Sequence, residues 1–327
     1  MKGRCEYVLL ALALVITLIL ISFNFDSLPS LPSIRGSSEH GTTVSKKYAV
    51  VSETFSDDYV PGALVLAHSL RRHNSKSGSL PFDLILVTFA SEQYKNGAEK
   101  HLSPRALELL ENAGWKIKVT DPIKQASFIT PSRFKNNLSA LRAFEHTEYE
   151  SVAHIDSDCL ILQDITEPFE YTKGATKFWA AEHYVKPNTR RFNSGVWFIK
   201  PSKETFDDIK NSRFNKANYD LNLNYPINNL LIKFFNYDRG LLPTAYNLGT
   251  NMLSSGKQDL EQWDATIEHA RVIHYLEAKP WHKEACSALM DKERCEHAVR
   301  LWVNEWEMVK RELGVGKDDF PRAEWLF

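Results

Sequence analysis

Apolar positions along the chain fall into three regimes. The first is an unbroken run, Tyr7 to Phe23, reading YVLLALALVITLILISF with no charge, preceded by Lys2 and Arg4. A run of this length sits at the lower limit of the about 17–25 residues that span a bilayer. The basic flank on its N-terminal side places Met1 in the cytosol. A cleaved signal peptide is the alternative. No small-x-small cleavage site follows, and Asn24, Phe25 and Asp26 are poor substitutes, so the uncleaved anchor is preferred. Either reading sends the remainder into the secretory lumen. The second regime, residues 24–46, contains SLPSLPSIRGSSEHGTT, rich in Ser, Pro and Gly, and reads as a flexible stem. The expected organisation is a cytosolic tail (1–6), a transmembrane signal-anchor (7–23), the stem (24–46) and a luminal domain (47–327).

In the third regime short apolar runs alternate with helix-spaced patterns. YAVVS (48–52), FDLILVTF (82–89), KIKVT (116–120) and SVAHID (151–156) predict strands. Residues 61–73, 105–112 and 139–147 predict helices, the second stopped by Gly114. Buried strands alternating with helices predict an α/β fold whose sheet is mostly parallel and covered on both faces. Ligands of such sheets bind at the carboxyl ends of the strands, and the most polar strand end carries Asp156 and Asp158. WVNEWEMVKREL (302–313) predicts an amphipathic C-terminal helix packed through Trp302 and Trp306.

The chain has 327 residues, 43% hydrophobic and 25% charged, enough for a sizeable core. A formal net charge of −1 supplies no global field toward nucleic acid. Cys5 falls on the cytosolic side as a free or acylated thiol, and Cys159 reads as a small buried hydrophobe. Cys286 and Cys295 are close in sequence; an oxidising lumen would permit a disulfide, but spacing alone leaves it open. Arg190 and Arg191 read as a solvated pair. The sequon at Asn137 falls on a predicted helix, so its use is not expected.

Three segments carry candidate chemistry. AHIDSDCLIL sets Asp156, Ser157 and Asp158 where a strand becomes a loop. Two carboxylates one residue apart can face one hard cation, Mn²⁺ or Mg²⁺, which would bridge a diphosphate. A solvated acidic turn is the bland alternative. FNSGVWFIKPS (192–202) reads as a polar turn followed by a strand. There Gly195 would permit close backbone approach to a ligand, and Asn193 and Ser194 suit sugar hydroxyls. VIHYLEAKPW (272–281) puts His274 at a strand end with Lys279 five residues on, an imidazole for a metal and an ammonium for a phosphate.

Together these segments resemble the glycogenin-like enzymes of glycosyltransferase family 8, from Tyr48 to about Trp281. VSETFSDDYVPGALVLAHSL looks like the family's opening strand, nucleotide loop and first helix. RFKNNLSALRAFEHTEYESVAHIDSDCLIL looks like its central helix and metal-binding strand. FNSGVWFIKPS and HYLEAKPW look like its later signatures. The resemblance implies a GT-A, Rossmann-like nucleotide-binding fold and retention of anomeric configuration. It implies Mn²⁺ held by Asp156, Asp158 and His274, with Mg²⁺ as a substitute. It further implies a UDP-sugar donor whose phosphates meet Lys279, Tyr59 packed on the uracil ring, and Asn193 and Ser194 facing the sugar. Two departures stand out. The family's lysine before Leu-Arg-Ala-Phe is Ala140 here, with Arg133 and Lys135 upstream as candidate substitutes. The family's Asp-Gln pair reads Ile227 and Asn228, with Asp220 nearby in sequence.

The expected reaction is transfer of a hexose or N-acetylhexosamine to a hydroxyl of a glycan or lipid, by front-face attack in a Golgi type II membrane protein. Two rivals remain open. One is a catalytically silent binding subunit, motivated by Ala140 and Ile227. The other is a self-glucosylating initiator, against which the anchor argues.

Overall fold

The computed structural model describes residues 46–89, 102–128, 136–182, 191–218, 226–254 and 256–320. The expected tail, the 7–23 segment, the stem up to residue 45, and Arg133, Lys135, Arg190 and Asp220 lie outside these. Among the described residues no helix is long and apolar enough to cross a membrane.

Strands β1 (Tyr48–Glu53), β2 (Phe82–Phe89), β3 (Lys116–Thr120), β4 (Ser151–Ile155), β5 (Cys159–Ile161), β6 (Phe178–Glu182), β7 (Phe192–Ile199), β8 (Gly240–Leu242), β9 (Leu248–Gly249) and β10 (Val272–His274) form two sheets. The central sheet runs β3-β2-β1-β4-β7-β6-β8. β1 is parallel to β2 and β4, β2 to β3, and β6 to β8. β7 is antiparallel to both β4 and β6, an exception to the expected parallel order. The smaller sheet, β5-β10-β9, lies beyond the end of β4.

The central strands read as continuous apolar runs because both faces are covered, but alternation still sorts them. Val50, Leu84, Leu86, Ala153 and Phe198 enter one core cluster; Ala49, Val51, Ile85, Val87, Val152 and Trp197 enter the other. The first face receives helix α1 (Val60–Asn74), with Pro61 in its first turn. It also receives α2 (Pro104–Asn112), capped by the Ser103 side chain. The second face receives a 3₁₀ segment, Asn137–Glu145, in place of the α-helix the sequence predicts. Beyond come α3 (Glu167–Tyr171), α4 (Lys203–Ser212), α5 (Pro226–Phe235), α6 (Lys257–Ile267) and α7 (Lys292–Leu313). α7 begins ten residues before the expected WVNEWEMVKREL helix, at an Asp291 cap. Its Trp302 and Trp306 are buried and stack at 5.7 Å, with Trp281 5.6 Å from Trp302. Cys159 is free and buried, and Cys286 and Cys295 form a disulfide.

Candidate active site

The site is assembled where β4 ends. After Ile155 the chain makes a tight turn in which Asp156 O accepts Cys159 N–H at 3.1 Å. Asp156 thus holds the first position of a β-turn, which favours a short polar residue, and Asp158 holds the third. β5 then pairs antiparallel with β10, His274 opposite Cys159. Tyr275 N–H donates to Asp158 O at 3.0 Å, which ties the turn to the His274 segment. Two segments remote in sequence are thereby locked side by side by backbone geometry.

His274 Nε2 stands 3.0 Å from Asp158 Oδ1 and 3.4 Å from Asp156 Oδ2. His274 and Asp158 are buried, while Asp156 keeps 32% of its side chain exposed. The state of the imidazole follows from its neighbours. Gly195 N–H, an unambiguous donor, gives its hydrogen to Asn193 Oδ1 at 2.8 Å. That oxygen can only accept again, so Asn247 faces it with Nδ2, at 3.1 Å. Asn247 Oδ1 is then left for His274 Nδ1, at 2.9 Å, and the proton sits on Nδ1. Nε2 is a lone pair turned toward two carboxylates.

This arrangement meets the demands of a divalent cation. Asp158 Oδ1 and His274 Nε2 are both buried and, despite their proximity, make no aligned hydrogen bond. Ligands at right angles around an ion with bonds of about 2.1 Å lie roughly 3 Å apart, the separation of Asp158 Oδ1 from His274 Nε2; Asp156 Oδ2 stands 3.4 Å from the same nitrogen and groups by distance with Glu53 and His154. A histidine ligand ordinarily donates its other ring N–H to a fixed acceptor, the part Asn247 takes. Cys159 shares the cluster by distance, but burial pushes its thiol well up, so it stays protonated.

The two carboxylates differ in environment. Burial raises the pKa of the Asp156 carboxyl, and the neighbouring carboxylates Glu53 and Asp158 add to the rise. Burial acts the same way on Asp158, but the Lys279 ammonium outweighs it and holds Asp158 ionised well below the usual carboxylate range. Lys279 Nζ donates to Asp158 Oδ2 and to the carbonyls of Tyr275 and Leu276, the latter at 3.1 Å. Burial opposes the Lys279 charge, yet Asp158 more than restores it.

Several expectations change in detail. Asn193, Ser194 and Gly195 lie inside β7, not in a turn before it. Gly195 makes room for a protein side chain, since a Cβ there would sit 2.1 Å from His274 Cε1 and 2.3 Å from Nδ1. Asn193 Oδ1 is spent on Gly195 and Asn247, which makes it part of the framework behind His274. Ser194 is buried, and its backbone N–H donates to Asn228 Oδ1 at 2.8 Å. Ser157 is buried, and its carbonyl is why residue 62 is glycine: a Cβ would lie 2.5 Å away. Tyr59 precedes α1, 37% exposed, with its ring edge-on to Trp281 at 5.5 Å. Ala140 and Ile227 are buried in the second core cluster.

Sequence reasoning missed Asn247, Glu53 and His154. His154 is buried, stacks on Trp197, and has Nε2 2.7 Å from Glu53 Oε2 and 3.8 Å from Asp156 Oδ1. A signal was available for His154, a titratable residue inside an apolar strand two positions before the acidic turn. Asn247 lies in an irregular segment and offered none.

A Rossmann-like sheet with an acidic turn at one strand end and a remote histidine folded onto it defines an α/β fold of the GT-A type. It matches a galactosyltransferase LgtC crystal structure in complex with donor and acceptor sugar analogues. The TM-score is 0.57 at 13% identity, over 84% of this chain and 99% of that one. The model of glycosyl transferase family 8 matches residues 50–285, and the chain belongs to that family. It is 26% identical over 230 residues to UDP-glucuronate:xylan alpha-glucuronosyltransferase 2 of Arabidopsis thaliana, covering 69% of this chain and 34% of the relative. It is 27% identical over 238 residues to glycogenin-1 of Oryctolagus cuniculus, covering 72% and 65%. The match thus spans about a third of the plant relative.

Proposed function

We propose that residues 47–327 form a retaining, Mn²⁺-dependent transferase that moves a sugar from a UDP-sugar to a hydroxyl of a glycan or lipid. The observation that carries this reading is the convergence of Asp158 Oδ1 and Asp156 Oδ2 on the His274 Nε2 lone pair, at 3.0 and 3.4 Å. Asp156, Asp158 and His274 would hold the ion, which when bound neutralises charge on the leaving diphosphate. Lys279, kept cationic against Asp158, adds a second positive charge for the phosphates. Tyr59 offers its exposed ring to the uracil. Asn228 stands where the family carries its Asp-Gln pair. It is an amide bound to the Ser194 backbone and cannot form a glycosyl ester. The leaving phosphate oxygen therefore takes the acceptor proton as the acceptor oxygen bonds to the anomeric carbon on the same face, which retains configuration. The plant relative is named for UDP-glucuronate, so UDP-glucuronate and UDP-glucose are the first donors to test.

In this reading residues 7–23 anchor the chain as a Golgi type II membrane protein. The Cys286–Cys295 disulfide supports an oxidising compartment for the domain. Protection of the domain from protease in sealed microsomes tests the topology. Full chain in detergent, offered a panel of UDP-sugars, should release UDP with Mn²⁺ and lose that activity on D158A. If no donor yields more UDP with wild type than with D158A, the silent-subunit reading replaces this one.

A further inference from the structure

The second-core face of the sheet carries a polar pair, buried His154 and half-buried Glu53, that the metal site does not use. β1 and β4 are parallel with Val51 opposite His154, so two residues further along each chain Glu53 comes beside Asp156. His154 cannot turn: it is fully buried, with its ring stacked on Trp197 at 4.7 Å and 17°. Its Nε2 lies 2.7 Å from Glu53 Oε2. The partner is a carboxylate, so Nε2 carries the hydrogen and donates it.

Glu53, His154 and Asp156 present ligand atoms within 4.8 Å of one another, which raises a second metal site as one reading. The other ring nitrogen decides against it. A metal on Nε2 would force the proton onto Nδ1, and His154 Nδ1 is buried with no partner among the described residues. A ligating histidine needs an acceptor there, as His274 has in Asn247.

The pair instead fixes a carboxylate. One Glu53 oxygen is held by His154, while Oε1 has no partner among the described residues. The side chain keeps 14% exposure at the carboxyl end of β1. It flanks Asp156 on one side and leads into the Asp57–Tyr59 turn on the other. A phosphate would be repelled there. A sugar hydroxyl would be bound, because an ionised carboxylate is a pure acceptor, and acidic residues take ribose hydroxyls in other strand-end nucleotide sites.

We propose that Glu53, oriented by His154, is a specificity-determining residue that accepts a hydrogen bond from a hydroxyl of the nucleotide sugar. The hydroxyl belongs either to the ribose or to the transferred sugar. This rests on the UDP-sugar reading above. His154 is a positioning residue, acting only through Glu53.

Calorimetry with Mn²⁺ on the full chain in detergent tests it, using UDP, its 2′-deoxy and 3′-deoxy analogues, and UDP-glucose. E53Q keeps the shape and removes the charge; E53A is the second variant, and melting temperatures monitor folding. Loss of one charge-assisted hydrogen bond should weaken binding about tenfold to a hundredfold. A loss with UDP that vanishes for one deoxy analogue assigns the ribose. A loss with UDP-glucose but not UDP assigns the transferred sugar. Unchanged affinities, or an equal loss for all four ligands, overturn the inference while leaving the donor reading intact. Wild type that binds no UDP overturns both. H154F keeps the ring stack and removes the N–H; it should reproduce the hydroxyl-selective loss, raising donor KM with kcat kept. A lowered melting temperature without that selectivity would reduce His154 to packing.

Discussion

Replacing Asn247 with alanine should weaken Mn²⁺ binding although Asn247 is not a ligand. Its Oδ1 accepts the His274 Nδ1 proton at 2.9 Å, and its Nδ2 is anchored on Asn193 at 3.1 Å. Both Asn247 and His274 are buried, so water does not readily take over. In N247A the proton gains by moving to Nε2, where Asp158 Oδ1 waits 3.0 Å away. The lone pair that would face the ion is then lost, and binding must first return the proton to an unsatisfied Nδ1. Losing such an outer partner costs about 10–100-fold in affinity, or about 1.4–2.7 kcal/mol. Titrating the full chain with Mn²⁺ and following the free-ion signal by electron paramagnetic resonance measures this directly. N247D, which keeps an acceptor oxygen, should recover most of the loss. Wild-type affinity in N247A would refute the tautomer argument, and with it the claim that Nε2 is held as a lone pair.

Three further outcomes follow from contacts away from that nitrogen. G62A should destabilise the chain by about 1–3 kcal/mol and weaken Mn²⁺ binding, because its Cβ would meet the Ser157 carbonyl at 2.5 Å and that backbone belongs to the acidic turn; unchanged melting and binding would count against the turn's rigidity. C286S should lower stability by about 2–3 kcal/mol through loss of a short covalent loop, read as a melting shift that a reductant reproduces in wild type. His68 lies between Glu305 at 2.5 Å and Glu312 at 3.2 Å, with Arg72 on Glu305 and Arg71 on Glu312. Burial works against the His68 charge, but the two glutamates raise it above its ordinary value; both glutamates are held low. That stabilisation is fully present below about pH 6.5 and fades as pH rises through the raised histidine value. The glutamate part is present above about pH 4.5 and fades as pH falls. H68Q should flatten the alkaline side of the melting-temperature profile, and an unchanged profile would show that the α1–α7 clamp does not titrate.

Much of this was legible because the sequence advertises burial and acidity. FDLILVTF could only be a strand covered on both faces, and AHIDSDCLIL puts two acids where an apolar strand stops. The direction of β7 was not legible, because an apolar run carries no sign of whether its neighbour is parallel. The Asn-Ser-Gly stretch was misread for a related reason. Polar residues at 193 and 194 look like a turn until one sees that Asn193 is consumed by Gly195 and Asn247. Gly195 looks like room for a ligand until His274 is found filling it. A pattern records what a residue is able to do; only the register records what has already claimed it.

Register also explains how so small a β5–β10 pairing can found a candidate metal site. His274 sits opposite Cys159, so its side chain comes beside Asp158, and Tyr275 N–H closes on the Asp158 carbonyl at 3.0 Å. Sliding β10 by one residue would turn the imidazole to the other face. Its partner on the new face would be the buried core around Ile273 and Leu160, where a lone pair has nothing to bind. Only the present register lets the imidazole meet both acids and Asn247 at once. The apolar pairing of Val272 with Ile161, and of Ile273 with Leu160 and Leu248, therefore has a chemical consequence: it selects the register, and the register brings the candidate ligands together.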